Sequence, residues 1–273
     1  MSYRAIGIYR EPEFSPGKVE ADAAILEASL AELAREGIET EALTPVEFLD
    51  RAELKADLVL AMCQSEAALR RLAEVERTGA IAINSALSIR NCYRDLLAPG
   101  LGRAGVPTPV GALVRTDRPL DRGVLGGVDL DEPVFVKRGD LHALGADDVQ
   151  RAIGKAEVEA MLSHLARKGV SRAYVQQEYP GEVVKFYGVS GGAYFTAIPT
   201  DGEIPEAAVR ELSEAAQRAS IALGLEVWGG DAVVNDDRFA IIDFNDWPSF
   251  SRVRAPAARA IARRALSLLA RAR

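Results

Sequence analysis

The stretch GGDAVVNDDRFAIIDFNDWP, residues 229–248, decides how this chain is read. Two apolar runs flank the polar segment NDD, which predicts antiparallel strands over 227–234 and 239–244. Asp231 falls on the first strand. Asp243 and Asn245 fall two apart on the second, so their side chains share one face. If the strands pair about 235–238, two carboxylates and one amide oxygen converge. Oxygen donors alone suit Mg²⁺, or Mn²⁺, held beside phosphates. Acidic side chains set within apolar runs such as AIIDFN fit poorly with a polar hairpin facing water.

Outward from this hairpin the chain changes character twice. Residues 1–90 alternate short apolar strands (5–8, 39–43, 56–62, 80–83) with helices (19–36, 64–77), the rhythm of a parallel sheet with helices on its faces. No G-x-G-x-x-G follows any of these strands, so a dinucleotide site of that kind is not expected. The segment 84–109 predicts a helix over 88–104, bent about Pro99 and Gly100. The rest mixes helices with antiparallel strands: a strand at 133–137, a polar loop RGDLHALGADD, and a helix over 150–168. A strand at 174–178 follows, then a hairpin of 183–189 with 193–198, a helix over 206–223, and a basic helix over 255–271. The boundaries expected are 1–107 for an α/β lobe and 108–273 for an α+β region, the latter divided at 178/179.

Composition narrows the chemistry. The chain has 273 residues, 48% hydrophobic and 27% charged, which is ordinary globular composition with room for two domains. Lys and Arg total 33 against 40 Asp and Glu, a net charge of −7. That argues against broad nucleic-acid binding, which needs a basic surface. Two cysteines and two histidines leave no disulfide framework and no Cys/His zinc site. No apolar run approaches the roughly 18 residues of a membrane span, and the N-terminus lacks a signal-peptide pattern. Membrane binding is not expected, and the chain reads as cytoplasmic. Cys63 and Cys92 read as packed thiols, Trp228 and Trp247 as aromatic packing beside the hairpin.

The order of motifs resembles that of the ATP-grasp superfamily. The matching pieces are Asn84 in a turn, Arg94 on a helix, GVPTP at 105–109, and Lys137 ending PVFVK. Then come the loop from Gly139 to Gly145, VQQEY at 175–179, and Asp231 with DFNDWP. Each piece is short, and their order along nearly the whole chain carries the resemblance. It implies an ATP-grasp fold with an N-terminal Rossmann-like lobe, ATP between two α+β lobes, and Mg²⁺ on Asp231, Asp243 and Asn245.

By the same resemblance, Lys137 meets ATP phosphates, and Arg94 stands where the family usually has lysine. Arg138, Gly139 and His142 belong to the loop over the phosphates. Gln177, Glu178 and Tyr179 belong to the adenine hinge, and Glu182 binds ribose hydroxyls. Lys185 and Tyr187 share a strand face near the γ-phosphate or acceptor. Arg252, with Ser249, Ser251 and Arg254, follows the metal strand, where anionic acceptors are held. Arg10 and Lys18 lie after the first strand, at a carboxyl end where open sheets present ligands.

The implied activity is ligation. A small-molecule or peptide carboxylate becomes an acylphosphate, and an amine or thiol then displaces phosphate. VVKFYGV and DFNDWPSF also resemble the inositol-phosphate kinases of the superfamily, so a small-molecule kinase stays open, as does an ATP-binding regulator without chemistry. A homodimer is compatible with all three.

Overall fold

The computed structural model describes residues 3–141, 145–236 and 238–272. His142 lies outside the described residues. Three four-stranded sheets organise the chain. The first is parallel, in the order β2 (Glu39–Leu43), β1 (Arg4–Ile8), β3 (Leu58–Ala61), β4 (Ile81–Ile83). β1, β3 and β4 are short and almost wholly apolar, as parallel strands covered on both faces require, whereas the edge strand β2 carries Glu39, Thr40 and Glu41. Helix α1 (Val19–Arg35) covers one face, burying Ile25, Leu26, Leu30 and Leu33 at helical spacing. Helices α2 (Pro45–Asp50) and α3 (Glu66–Arg77) serve the other core, around Phe48, Leu69 and Leu72.

The helix expected over 88–104 is two helices. These are α4 (Ala86–Arg90) and α5 (Arg94–Arg103), and the break falls at 91–93 rather than at Pro99. Pro99 sits inside α5, in its second turn. A proline there forfeits the bond its N–H would give to the carbonyl of Asp95, four residues before it, and α5 nevertheless continues to Arg103.

The second sheet has the order β5 (Gly111–Arg115), β8 (Arg172–Gln177), β6 (Val134–Arg138), β7 (Val149–Ala152) and is antiparallel. Two of its strands, β5 and β7, depart from the sequence expectation. Gln150, Arg151 and Ala152 do not open a helix; they pair with Val136, Phe135 and Val134. The helix α6 (Lys155–Arg167) begins only after Gly154, whose φ of 84° suits glycine. The third sheet has the order β10 (Tyr194–Pro199), β9 (Glu182–Val189), β11 (Val227–Asn235), β12 (Arg238–Asp246). Here the two expected hairpins are present, and α7 (Glu206–Leu223) covers one face.

The last helix, α8 (Arg254–Arg271), turns back to pack against α1. Ile261, Ala265 and Leu269 from α8 join Leu26, Leu30 and Leu33 in one core, so the third sheet and the first share a buried wall. Asn84, fully buried, adds a polar tie: its Oδ1 accepts from the backbone N–H of Glu226 and Val227, and its Nδ2 donates to Val227 O. Among the described residues no helix is long and apolar enough to cross a membrane.

Candidate active site

The β11–β12 pairing sets Asp231 opposite Asp243, with an irregularity in register just after Asp231. Asn245 follows two residues later on the same side of β12. Gly230 beside Asp231 has no room for a side chain: a Cβ there would lie 2.2 Å from the carbonyl oxygen of Asp243. The three expected metal ligands line one cleft of about 400 Å³, walled also by Arg10 and Lys18, by Lys185 and Tyr187 of β9, and by Ser249, Ser251 and Arg252. Arg10 and Arg252, near opposite ends of the chain, thus wall one cleft because α8 closes the third sheet onto the first. Beneath the site, Trp228 and Trp247 are fully buried. Trp228 stacks on Phe244 with centroids 5.6 Å apart, and Trp247 Nε1 donates to Ile83 O. Packing, not substrate stacking, is their place.

The ligand chemistry is tested by what each oxygen already holds. Asp231 accepts a 2.8 Å hydrogen bond from Lys185, directly across β9–β11. Burial works against the lysine's charge, but the Asp231 carboxylate outweighs it and raises the Lys185 pKa. Asp243 accepts from its neighbour's N–H, Phe244, at 3.1 Å and faces the guanidinium of Arg94 at 3.5 Å. The Asn245 side chain makes no hydrogen bond with any described residue. Two carboxylates with cationic partners and one unengaged amide oxygen fit a hard divalent cation. Among the described residues no group of three or more His, Cys, Asp or Glu is placed to hold a metal ion.

A second, narrower crevice meets the first at Asp243. Arg94, Tyr174, Gln176, Ile241 and Ile242 line it, between the second sheet and the third. Lys137 crosses this gap: its Nζ donates to Ile242 O at 2.9 Å, and burial lowers its pKa to about 8, with Asp243 and Asp231 opposing and Arg94 assisting. Arg94, also buried, donates to the carbonyls of Arg138 and Leu141 and so ties the start of the glycine loop to α5.

Other expected contacts are engaged within the protein. Arg138 follows Lys137 on β6 and so points to the opposite face, where Asp140 and buried Asp148 take its guanidinium. The N–H of Gly139 donates to Arg172 O, and a Cβ at this position would lie 2.9 Å from that carbonyl. The glycine is set by close packing of β6 on β8. Gln177 is pinned between Asp129 N–H and Pro133 O, whereas Gln176 lines the crevice. Strand alternation distinguishes the two, once it is known which face of β8 meets the third sheet. Glu178 pairs with Arg151, and its N–H donates to Pro133 O; Tyr179 is half-buried beside it. Glu182 accepts from Asp201 N–H at 2.6 Å.

The sequence reading missed a buried network that holds the end of β12. Arg10 donates to Met62 O, to Asp22, and to the carbonyls of Asp246 and Trp247. Gln64 donates to both oxygens of Asp246. Glu11 accepts from the N–H groups of Gln64 and Ser65 at the start of α3. The signal was present in the alternation, since Asp246 must face away from Asn245, but its partners lie 180 and more residues away. The chain then leaves β12 through Trp247 and Phe250, both left-handed, with φ of 37° and 48°. Bulky residues adopt this region at a cost, and burial of both rings is what holds them there. Cys63 and Cys92 are buried, and burial pushes both thiols up, so neither is a nucleophile here.

No family model and no curated protein matches this sequence. Solved structures do match its fold. The D-alanine–D-alanine ligase of Bacillus anthracis, complexed with ATP, aligns over 99% of both chains at TM-score 0.75 and 15% identity. The VanG D-Ala:D-Ser ligase of Enterococcus faecalis aligns over 98% of this chain and 100% of its own, at TM-score 0.72 and 14% identity. A RimK domain protein ATP-grasp from Sphaerobacter thermophilus aligns over 96% of this chain and 99% of its own, at TM-score 0.71 and 16% identity. At such identities the likeness is one of architecture, end to end, and by it this chain has the ATP-grasp fold.

Proposed function

We propose that this protein is an ATP- and Mg²⁺-dependent ligase that activates a carboxylate as an acylphosphate for attack by an amine or thiol. One observation carries the reading. Asp243 lines both the narrow crevice of Arg94, Tyr174 and Gln176 and the wider cleft of Lys185 and Arg252, so a nucleotide side and an acceptor side share one carboxylate. The neighbouring folds belong to proteins named as ligases, which favours the same chemistry here.

Bound Mg²⁺ on Asp231, Asp243 and Asn245 would neutralise phosphate charge. Lys137 and Arg94 hold the transferring group from the other side, Arg94 in the fork geometry that suits phosphate oxygens. Lys185, paired with Asp231 across β9–β11, is the cation that would orient the incoming carboxylate. An oxygen of the acceptor attacks the γ-phosphorus, the bond to the β-phosphate oxygen breaks, and ADP leaves. The amine or thiol then adds to the acyl carbon, loses its proton, and expels inorganic phosphate. The chain supplies charge and positioning with no covalent step of its own.

The test uses γ-labelled ATP, Mg²⁺ and mixed carboxylate, amine and polyol pools. Free labelled phosphate in step with ADP, only when carboxylate and amine are both present, is the expected outcome. Label retained on a stable organic phosphate would make the protein a kinase instead, and no acceptor-dependent ADP would leave it a nucleotide-binding protein.

A further inference from the structure

The cations of the acceptor cleft fall into two sets. Arg10 is fully engaged by Asp22, Met62 O, Asp246 O and Trp247 O. Lys185 is engaged by Asp231. Lys18, ahead of α1, and Arg252, ahead of α8, line the same cleft from opposite ends of the chain and stand exposed at its rim. Neither side chain makes a hydrogen bond or an ion pair with any described residue. The hydroxyls of Ser249 and Ser251, beside Arg252, are likewise unengaged.

Counter-charge inside the cleft is already used. Asp22 lies 3.1 Å from Arg10, Asp231 2.8 Å from Lys185, and Asp243 3.5 Å from Arg94. Asp246 is held by Gln64. The rim therefore carries two positive charges with nothing opposite them, and two like charges facing one cavity repel. The reacting carboxylate does not account for them: it must lie at the inner end, beside Asp231, Asp243 and Lys185.

We propose that the acceptor carries a second anionic group, carboxylate or phosphate, which Lys18 and Arg252 hold at the rim with the Ser249 and Ser251 hydroxyls. The inference rests on the ligase reading for which end reacts. A cleft of about 400 Å³ takes a small ligand, so the class is small dianions. Ser249, Ser251 and Arg252 lie in and just after the turn anchored by buried Trp247 and Phe250, while Lys18 comes from the opposite wall. Recognition thus requires the first sheet and the third together.

Calorimetric titration at about 50 mM salt, where exposed charges are little screened, tests this with a non-hydrolysable ATP analogue and Mg²⁺ present. The probes are glutarate, the equal-length monoanion pentanoate, and 3-phosphonopropionate. Glutarate or the phosphonate should bind at least tenfold more tightly than pentanoate, and the better of the two identifies the second group. Lys18→Gln and Arg252→Gln should each remove most of that preference while keeping the nucleotide-induced rise in melting temperature. Equal affinity for monoanion and dianions, no binding of either dianion, or a preference that survives both substitutions would overturn the proposal. Because binding is read without turnover, a dianion preference with no phosphate release would instead count against the ligase reading alone.

Discussion

The two sides of Asp243 treat their cations in opposite ways. Toward the second sheet, Lys137 and Arg94 are buried, and Arg138 with them; each is engaged by protein carbonyls or carboxylates. Toward the wider cleft only Arg10 and Lys185 are held in this way; Lys18 and Arg252 are exposed, and their side chains pair with no described residue. A buried cation is costly unless paired, so the crevice keeps its charge by borrowing backbone oxygens such as Ile242 O. A cation at a rim keeps its hydration and needs no partner in advance. On the proposed function, nucleotide binding on one side would exchange protein partners for phosphate oxygens, while acceptor binding on the other would give Lys18 and Arg252 partners they lack.

The largest expected effect falls where the two sides meet. Asp243→Asn keeps the shape and removes a charge facing Arg94, so Mg²⁺-dependent ATP turnover should fall by about 100-fold or more, the scale of losing a transition-state electrostatic contact. Circular dichroism should stay as in the wild type. Activity unchanged at limiting Mg²⁺ would remove Asp243 from the metal set and break the comparison at its hinge.

Lys137 sharpens the crevice side. ATP with Mg²⁺ should raise the melting temperature by mass action, and Lys137→Ala should shrink that rise more than Lys55→Ala, at an exposed surface lysine. Lys168, by contrast, is a poor reference, since it pairs with buried Asp148. The sign with pH follows from the lowered pKa of about 8. Below it the lysine is charged in both folded and unfolded chains, and its burial lowers stability. Above it the folded chain sheds the proton first, so apo stability gains as pH rises from about 8 toward the unfolded value of about 10.4. Phosphate recognition needs the charged form, so ATP affinity should drop over the same window in the wild type but not in Lys137→Arg. A pH-independent affinity in the wild type would detach Lys137 from the nucleotide.

The smallest effect belongs to the hinge. Arg151 and Glu178 form a bidentate but exposed pair, which water and salt screen. Arg151→Ala should leave the denaturation midpoint nearly unchanged and acceptor affinity alone. A larger loss would mean that this pair sets the approach of the second sheet to the third.

How much of this was legible beforehand depends on the range of the interactions involved. The hairpins β9–β10 and β11–β12 could be read because their partners are neighbours in sequence and their alternation is intact. Strands β5 and β7 could not: Gly111–Arg115 finds its partner only in β8, and Val149–Ala152 is an edge strand beside a stretch with helical composition. The same limit governs the site. Spacing and residue type put Asp231, Asp243 and Asn245 on one hairpin face, while Lys137 was singled out by the resemblance. Gln176 rather than Gln177 at the crevice was hidden, because only the packing of β8 against the third sheet says which face is inward.

Local alternation, turn residues and helical spacing were enough to place two carboxylates and an amide on one hairpin and a lysine at a strand end. These depend on a few consecutive residues and on geometry that every strand shares. Tertiary structure alone decided that Lys18 faces the cleft of Arg252, that Arg10 and Gln64 clamp Asp246, and that Arg138 turns away into Asp148. Each of those contacts is made between segments brought together by sheet packing and by the return of α8 onto α1, and no local pattern encodes which distant residue will stand opposite.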